Sequence, residues 1–319
     1  MFRDNLSELK LIIIDEISMV SSDMLIGIHK KLSEIFMTDP TRVLFANKSL
    51  MVVGDLLQLQ PVNGTFPFAP PKDKNMKEFN EALPIWQSFE PYVLRENHRQ
   101  GDGNAWANIL NELRVGIVTD EAISVLQSRV TDQPFFDESA MHVFYTNAEV
   151  FDHNMSMLDK LDSEEYQIPA TKIHPQWYKP EISRKDGTID STQYLDTLLV
   201  KVGARVSLSF NISLMDNLVN GSLGTIETGI ETDKTGDKVS AIIVDFDDKD
   251  CGHRQREKYP GLSRKYSNLN GTPITRHSLE YQIPTKSGKH HPGAATAIQF
   301  PLRLAYASTG HKMQVSFEI

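Results

Sequence analysis

The chain is constrained first by residues 9–16, Leu-Lys-Leu-Ile-Ile-Ile-Asp-Glu, an apolar run that stops on two adjacent acids. Its four consecutive large apolar residues do not alternate, so the run predicts a strand covered on both faces, as in a parallel sheet. A helix is predicted from Ser22 or Asp23, with Met24, Leu25, Ile28, Leu32, Ile35 and Phe36 on one stripe at helical spacing. A second strand of the same kind, Leu50-Met51-Val52-Val53, ends at Gly54-Asp55. Strand, helix and strand in this order predict an α/β domain whose site lies at the carboxyl ends of its strands. Asp15-Glu16 and Gly54-Asp55 both stand at such ends.

Residues 61–77 are rich in Pro, Gly and Lys and read as a surface loop. A helix is predicted from Asn104 to Val115, with Trp106, Ile109, Leu110 and Leu113 inward and Gly116 as its stop. A strand over His142 to Tyr145 leads into a helix bearing Val150, Asn154, Met157 and Leu161, and residues 162–195 read mostly as loop. From Leu198 to about Phe246, short alternating runs separated by turn residues predict a small antiparallel barrel or sandwich. Residues 249–293 read as a basic, loop-like stretch before a last strand, Pro301 to Ala307.

No uncharged apolar run approaches the length of a membrane span. The single cysteine, Cys251, rules out an internal disulfide framework and fits a reducing compartment. The net charge of −9, taken whole, argues against a nucleic-acid partner. Yet residues 251–319 hold ten Lys/Arg against three Asp/Glu, and five of the ten histidines. A basic quarter on an acidic body directs the search for an anionic partner to that end.

An ATPase of the P-loop class needs a carboxylate at a strand end to hold the water shell of Mg²⁺, and a second to orient or deprotonate the attacking water. Asp15 and Glu16 offer that pair, although any strand can end in surface acids. The run Gly54-Asp55-Leu56-Leu57-Gln58-Leu59-Gln60-Pro61-Val62 can bring the Gln58 amide toward the same phosphate. Each of its residues alone reads as a polar turn. In Leu94-Arg95-Glu96-Asn97-His98-Arg99-Gln100 an arginine at a domain edge can neutralise charge on a departing γ-phosphoryl group, although a lone arginine is usually solvated or in a surface ion pair. Gly203–Val206 and Asp216–Gly224 read as strand and turn. In Pro301–Gln314 a strand delivers Thr309, His311 and Lys312 into one loop, which is either an ordinary polar loop or a grip on a phosphodiester backbone.

In their order and spacing these segments resemble the Pif-one-type (petite integration frequency) DNA helicases, a branch of the RecD-like superfamily 1B enzymes. The most specific parts are Ile14–Val20, Gly54–Val62, Asn97–Gln100, Leu218–Gly224 and Ala305–Gln314. The resemblance implies ATP and Mg²⁺ as cofactors. Asp15 would hold Mg²⁺, Glu16 would activate water, and Gln58 would sense the γ-phosphate. Arg99 would act as the arginine finger, with Gln100 beside it at the nucleotide. Thr309, His311 and Lys312 would line the single-stranded DNA track. The implied activity couples ATP hydrolysis to 5′-to-3′ movement on single-stranded DNA and to duplex separation. Such enzymes serve DNA repair, recombination or telomere maintenance, in the nucleus or in mitochondria. The implied fold is α/β, with tandem RecA-like motor lobes. A truncated first lobe would cover 1–92 and a second would open over 93–195. A β-rich, SH3-like insertion would occupy 196–297, and 298–319 would return to the second lobe.

The chain also departs from that pattern. It contains no Gly-x-x-x-x-Gly-Lys-[Ser/Thr] phosphate loop, and fourteen residues precede Asp15. Gly310 stands where the family has a β-branched residue, Gln60 where it has proline, and Val315 where it has glycine. The expectation is therefore a partial helicase chain, inactive alone. The alternative is a catalytically dead DNA-binding or interaction module derived from a helicase or a Helitron-type transposon. A P-loop ATPase unrelated to DNA would leave Thr309–Gln314 unexplained.

Overall fold

In the computed structural model, the strand before the two acids is β1 (Leu11–Ile14), paired in parallel with β2 (Ser49–Val52) so that Ile14 lies opposite Val52. The structure describes residues 6–62, 64–77, 84–95, 105–130, 140–183, 186–189, 192–232, 238–265, 271–283, 293–310 and 313. The chain divides into two units, 1–134 and 135–319.

In the first unit, α1 (Ser22–Phe36) joins β1 to β2 and starts where Ser21 accepts the Met24 N–H at 3.1 Å. It buries Leu25, Ile26 and Leu32 with Phe45 and Ile85, against the half-buried Ile12, Ile14 and Leu50 of the two strands. The opposite face of the sheet is different. Leu11 and Ile13 are 49% and 57% exposed, so the expectation of burial on both faces is corrected: β1 is covered on the α1 side only. The predicted helical stripe also shifts, since Met24 is exposed while His29 and Ser33 point inward. His29 Nδ1 accepts the Phe45 N–H at 3.0 Å, so Nε2 carries the proton and donates to the Pro40 carbonyl at 2.9 Å. This histidine is a strut. The Asp23 carboxylate accepts the Lys72 and Asp73 N–H groups, which docks the 64–73 loop, followed by helical residues 74–77, on the start of α1. Two further helices follow, α2 (Ala105–Arg114) and α3 (Asp120–Gln127), the second capped by Thr119. On α2 the predicted inner residue Ile109 is buried whereas Trp106 is exposed; the predicted start at Asn104 lies outside the described residues.

The second unit opens with β3 (His142–Phe144) and α4 (Asn147–Asp159), whose start is closed by a reciprocal Thr146–Glu149 capping box. Then come β4 (Glu165–Pro169), β5 (Thr171–Ile173), β6 (Thr197–Lys201), β7 (Arg205–Leu208), β8 (Leu223–Thr232) and β9 (Val239–Phe246). Helices α5 (His253–Lys258) and α6 (Pro260–Lys265) precede β10 (Gly271–Ile274), β11 (His277–Gln282), β12 (Ala294–Gln299), β13 (Leu302–Leu304) and β14 (Ala307–Thr309). An antiparallel five-stranded sheet, β10-β9-β8-β7-β13, carries the main core, which includes Val206, Leu208, Ile226, Ile242, Val244 and Leu302. A three-stranded sheet, β11-β12-β5, and the pair β4-β6 complete the β-rich part.

The described residues of 162–195 lie mostly outside helices and strands, as expected, yet include β4 and β5; the loop expected over 249–293 is corrected, since that stretch holds α5, α6, β10 and β11. The reason is tertiary. The start of α5 is fixed by the buried Asp216, whose carboxylate accepts the Arg254 and Gln255 N–H groups at 2.9 Å each. A cap supplied from nearly forty residues away leaves no local signal.

The predicted last strand is in fact two. After β13 pairs with β7 and Ala305 N–H donates to the Arg205 carbonyl, the chain leaves that sheet and β14 pairs in parallel with β3. At the crossing, Asn154 of α4 accepts both the Tyr306 and Ala307 N–H groups on Oδ1, at 3.0 and 2.9 Å, and is only 7% exposed. Asn154→Leu leaves two buried donors unpaired and is expected to cost about 2–4 kcal/mol in urea denaturation, whereas Asn154→Asp, which keeps the acceptor, costs far less. Cys251 is buried, and that burial, followed by the Asp248 carboxylate, pushes its thiol up to about 12. Native protein at pH 8 is therefore expected to resist iodoacetamide until urea unfolds it; alkylation of native protein at the free-thiol rate would contradict this.

Candidate active site

Parallel pairing continues past the two strands. Val53 N–H donates to the Ile14 carbonyl at 2.8 Å, and Ile17 N–H returns to the Val53 carbonyl at 3.0 Å. Asp15 and Glu16 therefore stand level with Gly54. A Cβ built on Gly54, whose φ is 145°, would lie 2.9 Å from the Ile17 amide nitrogen and 3.3 Å from Glu16 Cα. Only glycine permits this approach. Glu16 itself is left-handed, at φ 51° and ψ 49°, a conformation that costs a non-glycine residue about 1–3 kcal/mol. Its N–H donates to Asp15 Oδ1 at 2.8 Å, which ties the two acids to one turn. Asp15 is exposed and Glu16 half-buried.

The second loop is organised by Asp55. Its Oδ1 accepts the Leu57 N–H at 3.0 Å, and its carbonyl accepts the Gln58 N–H at 2.9 Å. The Gln58 side-chain amide donates to Asp55 Oδ2 at 3.5 Å, and the residue is exposed. Arg114, the last residue of α2, donates from Nη2 to Asp55 Oδ1 at 2.7 Å. Sequence reasoning passed over Arg114, because a basic residue closing a helix reads as a complement to the helix dipole.

Of the predicted residues, Asp15, Glu16 and Gln58 are thus carried on two adjoining loops of the first unit. Thr309 belongs to the second unit, at the end of β14 opposite Phe144, and is 8% exposed. Arg99, Gln100, His311 and Lys312 lie outside the described residues. The run Leu218–Gly224 forms the turn into β8, where a Cβ on Gly224 would lie 2.6 Å from the Asp245 carbonyl oxygen. Chemically, one exposed carboxylate at a strand end suits a Mg²⁺ ion that keeps most of its waters and shares phosphate oxygens. Among the described residues no group of three or more His, Cys, Asp or Glu could hold a metal unaided.

Residues 1–122 match the family model described as PIF1-like helicase. The ATP-dependent DNA helicase PIF1 of Emericella nidulans is 27% identical over 343 residues, covering 96% of this chain and 42% of its own length. The chain thus spans less than half of that relative. The Pif1 helicase from Bacteroides in complex with ADP-AlF3 and ssDNA superposes with a TM-score of 0.62 at 24% identity, covering 97% of this chain and 63% of its own. The Candida albicans Pif1 helicase gives 0.66 at 21% identity, covering 98% and 66%. The mixed α/β fold expected from the sequence, with tandem RecA-like lobes, is the fold of these structures. By family model over residues 1–122, and by sequence along most of its length, the chain is similar to the PIF1-like helicases, and its fold is like theirs.

Proposed function

We propose that the chain supplies nucleotide-facing and DNA-gripping surfaces of an ATP-dependent DNA helicase that moves 5′ to 3′ on single-stranded DNA and separates duplexes. The observation that carries the reading is the packing of Gly54 on Glu16 and Ile17, which joins the Asp-Glu turn to the Asp-x-x-Gln loop. Two acids and an amide at adjoining strand ends suit one terminal phosphate and one water, and little else. In this reading Asp15 would hold Mg²⁺, and the ion, when bound, would supply charge that neutralises the phosphates. Glu16 takes a proton from the attacking water. The Gln58 amide reads the γ-phosphate, while Arg99, with Gln100, faces the same nucleotide. Thr309, His311 and Lys312 hold the phosphodiester backbone. Residues 1–92, 93–195 with 298–319, and 196–297 would be the first lobe, the second lobe and its β-rich insertion. The place of action would be the nucleus or the mitochondrion.

Any DNA-stimulated ATP turnover by the chain is expected to fall by about two orders of magnitude or more in Glu16→Gln, with DNA affinity unchanged. Turnover indifferent to that change would remove Glu16 from its role. Affinity for single-stranded DNA, followed by fluorescence anisotropy, is expected to fall steeply with salt, and Lys312→Ala is expected to reduce the salt slope by about one contact. If neutralising His311 and Lys312 together leaves both affinity and slope unaltered, the DNA track lies elsewhere.

A further inference from the structure

We propose that Arg114 is a positioning residue for the Gln58 loop, acting through Asp55. The inference rests on the reading of Gln58 as a phosphate-facing amide. The Asp55 carboxylate sets the loop by accepting the Leu57 N–H at 3.0 Å and by lying 3.5 Å from the Gln58 side-chain nitrogen. A carboxylate on a short turn can rotate away from these donors unless something fixes it. Arg114 does so at 2.7 Å, from the end of a ten-residue helix that begins at Ala105.

The pair is suited to this work by its exposure. Asp55 retains 20% of its side-chain surface and Arg114 retains 47%, so the interaction is solvent-screened and modest in strength. It contributes little to holding the unit folded. It is strong enough to bias which way one carboxylate faces, and the loop follows that carboxylate.

The test is a double-mutant cycle read by hydrogen exchange at the Leu57 and Gln58 amides, with the Met24 amide of α1 as an internal control. Arg114→Met is expected to raise exchange at Leu57 and Gln58 roughly two- to fivefold without moving Met24. Arg114→Lys, which keeps a charge, is expected to restore most of the protection. In an Asp55→Asn background, Arg114→Met should add almost nothing. Unchanged exchange in Arg114→Met overturns the proposal, as does an effect of equal size in the Asp55→Asn background. A separate titration of wild-type protein with Mg-ATP, read at Gln58, decides the underlying assignment: protection there supports it. No protection there removes the phosphate-facing role of Gln58, while the clamp itself still stands or falls on the exchange cycle.

Discussion

The close approach of Gly54 to the Glu16–Ile17 backbone governs the first unit. Two parallel strands of four residues each make few hydrogen bonds, and their carboxyl ends would splay if a side chain stood between them. Gly54 removes that side chain. The two backbone bonds through Val53 then hold the loops together. The left-handed turn at Glu16 is strain that this arrangement imposes, and it is offset by the packing of α1 on Ile12, Ile14 and Leu50. The acids are thus fixed by the fold beneath them, which makes their position a property of Leu25 and Ile26 as much as of the loops.

The second unit solves a similar problem with side-chain acceptors instead of a missing side chain. Its last described strand changes partner between Leu304 and Ala307, from an antiparallel neighbour to a parallel one. A backbone in transit between sheets has amides that neither sheet can take. Asn154 takes two of them, and Asp216 does the same service for the first turn of α5. Gln299, fully buried, bonds the Ile168 and Leu195 carbonyls and the Phe300 N–H, closing the last strand of one sheet against the β4-β6 pair. Buried amides and carboxylates here are satisfied on all the bonds that the crossing requires.

How much of this was legible in the sequence depends on the range of the interaction that fixes each element. The β1-α1-β2 unit was legible, because hydrophobic period and strand-end acids are local signals. The strand at His142 and the helix after it were legible for the same reason, with Thr146 and Glu149 as a local cap. One face of β1 was misjudged, since an unbroken apolar run cannot report which of its faces a helix covers. The segment 249–293 was misjudged, and β4 within 162–195 was missed, because α5 depends on Asp216 and β4 on β6, neither of which is near in sequence. At the candidate site, chemistry at strand ends named Asp15, Glu16 and Gln58, which the structure carries on adjoining loops. Arg114 was not, because its meaning comes only from facing Asp55, 59 positions away.

The loops that carry the proposed chemistry are held by short side chains bonding to backbone as well as by the two backbone bonds at Val53. The strands beneath them are three or four residues long, too short to hold a loop rigid by pairing alone. Asp55 on its own turn and Asn154 under β14 supply the missing constraint, each through a single carbonyl-type oxygen that meets more than one donor. A single oxygen with two donors is a constraint that weakens in one step when either donor moves. Loops held this way can be rigid in one state and released in another, which a fully paired sheet could not allow. Under the proposed reading, that property suits loops that change their grip on a nucleotide.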